Sequence, residues 1–161
     1  MKDKILNVLK YILQEYPNKS DLSASRLTKL LYLADWKSAI DNGYQLTESR
    51  WYFNHYGPYV EDFIELAKTD NDIEVLSDQT MFGGRKRLIK ISDFYKDKVQ
   101  LEGADKELVD FVINATKSKN YEDFIRLVYS TYPVITHDKY SELDLVPLAD
   151  EYKRIMLKES S

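Results

Sequence analysis

The sequence predicts a mainly α fold, a compact single-domain arrangement of about six helices with one small β-hairpin. Three observations point there. Apolar residues recur at helical spacing in several separate stretches, strict alternation is confined to residues 73–92, and 161 residues is the size of one ordinary domain. Residues 1–158 are expected to form that domain, followed by a short polar tail at 159–161.

Ile5, Val8, Leu9 and Ile12 repeat at i, i+3, i+4, i+7, with Leu6, Leu13 and Tyr16 widening the face, so a first helix ends before Pro17. Pro17-Asn18-Lys19-Ser20 reads as a turn. A second helix starts after Ser23, a suitable N-cap, and stops at Asn42-Gly43. It carries two apolar stripes, Leu27/Leu30/Leu31/Ala34 and Leu33/Trp36/Ile40, which assigns it to the middle of the fold. Tyr44 to Tyr56 lacks a helical period and reads as extended or irregular chain. Pro58 is then expected to open a third helix running to about Thr69. Proline suits the first helical position, Glu61 and Asp62 suit the first turn, and Val60, Phe63, Ile64 and Ala67 form an apolar face.

Ile73 and Val75, then Ile89 and Ile91, alternate with polar residues around Gly83-Gly84, the pattern of a hairpin with a primed turn. Its second arm is basic, with Arg85, Lys86, Arg87 and Lys90. Leu108, Phe111, Val112 and Ala115 give a fourth helix; Tyr121, Phe124, Ile125 and Val128 give a fifth, capped by Asn120. Ser130 to Pro147 is tyrosine-rich and irregular, and Pro147 starts a last helix with Leu148, Tyr152 and Ile155 inward.

Composition narrows the chemistry. There is no cysteine, so disulfides, thiolate catalysis and cysteine-based zinc sites are excluded together. The two histidines, His55 and His137, lie far apart in sequence without a ligand-spaced partner, and no metal or other cofactor is expected. No serine sits in a nucleophile elbow, and Gly83-Gly84 lacks the later glycine of a phosphate loop. The paired acids at 61–62 and 122–123 fall in helix first turns, where the dipole already accounts for them. The chain does not read as an enzyme. A net charge of −4 argues against a general nucleic-acid binder, although the basic hairpin has three readings: a solvated edge strand, a contact for an acidic protein, or the wing of a winged-helix DNA-binding regulator. No stretch is apolar enough for a signal peptide or a membrane span, so a cytoplasmic location is expected.

LTKLLYLADW (27–36), the Gly43 to Leu46 step, Trp51 and HYGPYV (55–60) form a succession that resembles the Panacea domain, or SocA-like domain, of bacterial and phage antitoxins and phage-associated proteins. The matching positions are Lys29, Leu30, Leu31, Tyr32, Gly43, Leu46, Trp51, Tyr56, Gly57, Pro58 and Val60. Family members often carry Thr-His or Ser-His and then an aromatic near the end, to which Thr136-His137 and Tyr140 are an approximate counterpart.

The resemblance implies a protein-binding module that neutralises a toxin encoded by a neighbouring gene, or an adaptor that delivers the toxin to a protease. Candidate partner-binding residues are Trp51, Tyr52, His55, Tyr59, Arg85 and Arg87, since exposed aromatics and arginines supply large or bidentate contacts. Trp51 and Tyr56 have a second reading as core residues beside the central helix. Lys29, between apolar stripes, can pack its stem and cap a carbonyl or carboxylate with its amine.

Overall fold

The computed structural model describes residues 2–60, 62–79, 85–95 and 97–160. The fold is mainly α, as the sequence predicts, with seven α-helices and five short strands among those residues. Helix α1 (Lys2–Glu15) buries Val8, Leu9, Ile12 and Leu13 and stops before Pro17. A 3₁₀ turn at Lys19–Asp21 leads into α2 (Ala24–Asn42). Ser23 caps α2 as expected: its Oγ accepts the Arg26 N–H at 3.1 Å. Gly43 closes it at φ +78°, its N–H donating to the Ala39 carbonyl at 3.2 Å.

Residues 26 to 36 of α2 are buried on every face, including Arg26, Thr28, Lys29 and Asp35. Such a helix cannot leave its polar side chains to water, so each needs a partner inside the fold. The chain divides into two compact units, residues 1–28 with 61–118 and residues 29–60 with 119–161, and the boundary falls within α2.

The first unit contains α1, the start of α2, α3 (Asp62–Lys68), the antiparallel strands β3 (Ile73–Gln79) and β4 (Arg85–Ile91), and α4 (Gly103–Thr116). The expected hairpin is present in its arms, in register from Ile73↔Ile91 to Gln79↔Arg85. Its Gly83-Gly84 turn lies outside the described residues. On the other side of β4, the Ile89 N–H donates to the Leu22 carbonyl at 3.1 Å. The buried Arg26 guanidinium donates to the Tyr16 hydroxyl at 2.9 Å and the Thr116 carbonyl at 3.0 Å, while the same hydroxyl reaches Thr116 Oγ1 at 3.2 Å. That polar knot ties α1, α2 and α4 together. The inward face of α4 differs from expectation. Val109, Ile113 and Thr116 join Leu108 and Val112 inside, while Phe111 and Ala115 face solvent.

The second unit contains the rest of α2, β1 (Trp51–Asn54), β2 (Gly57–Tyr59), α5 (Tyr121–Tyr129), α6 (Tyr132–Ile135), β5 (Glu142–Leu143) and α7 (Leu145–Ser160). Its three strands form an antiparallel sheet in the order β2-β1-β5. Here the structure corrects the sequence reading. Pro58 does not open a helix; it lies in β2, paired with Phe53, and α3 begins only at Asp62. A short strand satisfied the same proline, because residues beside an edge can dispense with the N–H. Of the acids assigned to the first turn, Asp62 does begin α3, while Glu61 lies outside the described residues. The stretch from 130 to 147, read as irregular, holds the four-residue α6 and the two-residue β5. In α7, Leu148 is buried as expected but Ile155 is exposed. Tyr152 packs its ring against Trp36 and Tyr132, with centroids 5.8 and 5.5 Å away.

Asn120 caps α5, its Oδ1 accepting the Asp123 N–H at 2.8 Å. Asn120→Ala should lower the unfolding free energy by about 1 kcal/mol, read from urea denaturation, whereas Asn120→Asp should be close to neutral.

Candidate partner-binding surface

The second unit's sheet is built outward from one buried carboxylate. Asp35, fully buried on α2, accepts four hydrogen bonds. The Thr47 N–H reaches Oδ1 at 2.7 Å, and the Thr47 hydroxyl, the Trp51 indole N–H and the Gln45 amide reach Oδ2 at 2.6, 2.8 and 3.3 Å. These bonds fasten the connection after α2 and the first residue of β1 to the helix. Burial pushes the Asp35 carboxyl up to about 6, and the donors from Thr47, Trp51 and Gln45 work against that rise. Trp51 also meets Tyr32 edge to face, with centroids 5.4 Å apart, and Tyr32 shares a 2.8 Å hydrogen bond with Thr131 Oγ1.

With Trp51 fixed inward, the period of two in a strand assigns its neighbours. Phe53 points in and meets Tyr129 edge to face at 6.1 Å; Tyr52 points out. Tyr52 faces Tyr59 across the β1–β2 ladder and Glu142 across the β1–β5 ladder. His55 and Tyr56 form the two-residue link between Asn54 and Gly57, both exposed. Neither has positive φ; the left-handed conformation falls on Gly57, at φ +105°, where β2 begins. A Cβ there would also stand 3.1 Å from the Tyr129 ring and 3.2 Å from Lys29 Cε. The Gly-Pro step is therefore glycine for its backbone conformation and for the close approach of Lys29 and Tyr129. Lys29 is buried with its stem against this turn, and desolvation lowers its amine to about 8.

The outward residues form a linked group. The Tyr52 hydroxyl donates to the Tyr140 carbonyl at 2.8 Å, the Tyr140 hydroxyl lies 3.5 Å from His55 Nδ1, and the His55 ring sits edge-on to Tyr56 at 4.6 Å. Tyr140 is the one non-glycine with positive φ among the described residues, at +72°. It is held there by its N–H donating to Phe53 O at 2.6 Å, while Ser141 O accepts the Phe53 N–H at 2.8 Å.

The sequence-derived candidates thus divide. Tyr52, His55 and Tyr59 share the β1–β2 region of the second unit, with Tyr52 and His55 exposed and Tyr59 half-buried. Trp51, offered as a surface anchor or a core residue, is 1% exposed and shapes the surface from beneath. Tyr56, a family-motif position also read as a core residue, instead projects into solvent. Arg85 and Arg87 belong to β4 of the first unit, where Arg87 is exposed and pairs in register with Ser77. Sequence reasoning missed Asp35, and it named Tyr140 only as a counterpart to the family's late aromatic. Asp35 was detectable as an acid inside a doubly apolar helix; nothing in the sequence marks Tyr140 as strained. His137 is occupied locally, its Nδ1 lying 3.0 Å from both Pro133 O and Thr136 Oγ1. Among the described residues no helix is long and apolar enough to cross a membrane.

Compared with known proteins, residues 27–133 match the family model described as "Antitoxin SocA-like, Panacea domain". No curated protein and no solved structure matches.

Because the folded carboxyl of Asp35 titrates at about 6, above the ordinary value of 3.8, the native state binds its proton more tightly than the unfolded chain does. Asp35 therefore adds stability as pH falls from 7 through 6, and that contribution levels off near the unfolded value. Wild type should gain about 1 kcal/mol between pH 7 and pH 5 relative to Asp35→Asn, which cannot titrate, in urea unfolding at both pH values. Equal pH dependence in the two proteins would refute the assignment.

Proposed function

Since the chain belongs to the antitoxin SocA-like Panacea domain family over residues 27–133 of its 161, we propose that it neutralises a cognate protein toxin by direct contact, without chemistry of its own. The observation that supports this most is the linked, exposed ring group of Tyr52, His55, Tyr56 and Tyr140 on a sheet whose inner face is rigidly packed. Exposed aromatics bring large contact area with little conformational freedom to lose, the property that makes tyrosine an interface anchor. Anchors of this kind need a firm base. Asp35 supplies one by fixing Trp51, and Gly57 lets the turn close tightly over Lys29 and Tyr129.

In this reading the toxin seats on the outer face of the β1–β2 region, and neutralisation follows from covering its active site or substrate surface. The toxin is expected to be encoded beside this gene. Delivery to a protease is a finer version of the same contact and has its own readout, the toxin's half-life.

Expression of the adjacent gene alone should arrest growth, and co-expression with this chain should restore it, with the two proteins co-purifying. A harmless neighbour, or a toxic one neither rescued nor bound, would sink the reading. Tyr56→Ala removes a ring that is 75% exposed, so its stability should stay within about 0.5 kcal/mol of wild type. Its affinity for the co-purified partner should fall roughly tenfold in calorimetric titration. An unchanged partner half-life with and without this chain would assign neutralisation to occlusion rather than to degradation.

A further inference from the structure

Tyr52, Tyr56 and Tyr140 are 41%, 75% and 62% exposed; a hydrogen bond joins Tyr52 to Tyr140, and contacts through His55 join Tyr140 to Tyr56. Tyr140 is the informative member. Holding a tyrosine at φ +72° strains the backbone, and glycine would adopt that conformation freely. The side chain gains no burial in return, since the ring stands in solvent. A strained position that displays a solvent-facing ring is better explained by what the ring meets than by packing.

The chemistry of the patch narrows what it meets. Its ring faces are electron-rich and attract cations. The nearby Arg50 is already turned to Glu142, its Nε and Nη2 lying 3.2 and 3.0 Å from Oε1. Asp138 and Lys139, exposed beside Tyr140 in the chain, carry opposite charges. The unit as a whole holds eleven acidic and nine basic side chains. An acidic ligand would meet no net positive field here, since Lys139 stands beside Asp138 and Arg50 is turned to Glu142. A purely apolar one would bury the Tyr56 hydroxyl and offer it no partner. A guanidinium stacks flat on tyrosine faces and donates to their oxygens at its rim.

We propose that this patch receives an arginine-bearing segment of the protein partner, with Tyr56 and Tyr140 as the faces that stack on the guanidinium. The assignment rests on the antitoxin reading for the partner's being a toxin, but its chemistry is testable without the toxin. Capped pentapeptides of sequence Gly-X-Gly-X-Gly, with X as arginine, lysine, norleucine or glutamate, would be titrated into the full chain and followed by the aromatic NMR resonances. Arginine should perturb the Tyr56, Tyr140 and His55 rings and bind roughly threefold or more tightly than norleucine, with glutamate weakest.

Tyr140→Gly removes the ring while relaxing the backbone, so its melting temperature should equal or exceed that of wild type even as arginine binding drops. Tyr56→Ala, at an exposed turn, should lose binding in the same way and covers the case in which Tyr140→Gly folds poorly. Norleucine matching arginine, glutamate binding best, perturbations elsewhere on the protein, or folded variants that bind arginine undiminished would each overturn the assignment. If growth rescue succeeds but arginine shows no preference, only the guanidinium assignment falls. If arginine binds here and the neighbouring gene product is not neutralised, the antitoxin reading falls and the cation-binding patch stands.

Discussion

The second unit depends on one buried carboxylate. Asp35 lies on a helix with no solvent-facing side at that level, so its charge is sustained only by donors brought to it. Those donors come from Gln45, Thr47 and Trp51, separated along the chain by as many as five residues of otherwise unpatterned loop. Meeting the demand of the carboxylate therefore folds the loop and fixes the depth and rotation of the first residue in β1. Hydrophobic burial alone would not do this. Trp51 could bury its ring in several orientations, but only one directs the indole N–H to Oδ2.

Everything outside that strand follows from the choice of inward residue. A one-residue slip of β1 would exchange the faces, exposing Trp51 and Phe53 and burying Tyr52. The Asp35 hydrogen bond forbids the slip, and Gly57 and Tyr140 complete the frame from either side. Both have positive φ, and they differ in how it is tolerated. Gly57 meets no steric penalty from its own side chain and admits Lys29 and Tyr129 close to the turn. Tyr140 accepts strain, held by the backbone hydrogen bonds that bracket Phe53.

Helices were legible in the sequence wherever a cap and a period agreed. Ser23, Gly43 and Asn120 all act as their residue types suggest, and the doubly apolar pattern of α2 correctly marks a helix buried all round. Reading failed where short-range signals have two solutions. Pro58 with following acids suits a helix start, yet three residues of strand pairing to β1 outweigh it, because that pairing comes from residues already positioned by Asp35. On α4, Phe111 and Val109 compete for the inward face, and tertiary packing chose the smaller side chain. Strand β5 and the conformation of Tyr140 were invisible for a related reason. Two residues carry no period, and their pairing partners lie some ninety positions earlier. The family motif, by contrast, was readable because it consists largely of residues whose roles are internal: Lys29, Leu30, Leu31, Tyr32 and Gly57.

That distribution separates the residues that hold the fold from those it displays. The inward residues are mutually constrained: changing Asp35 strands the donors of Trp51 and Thr47, and a Cβ at Gly57 collides with Lys29 and Tyr129. The outward residues carry few such obligations. Tyr56 is anchored by a ring contact to another exposed residue, and Tyr140 lies beyond the last residue of the family match. Surface positions of that kind change at small cost to stability, whereas the buried set does not. A frame that fixes strand register from the inside can keep its fold while the displayed rings are replaced. That separation keeps stability in the carboxylate beneath the sheet and leaves the displayed rings as the part the proposed contact would use.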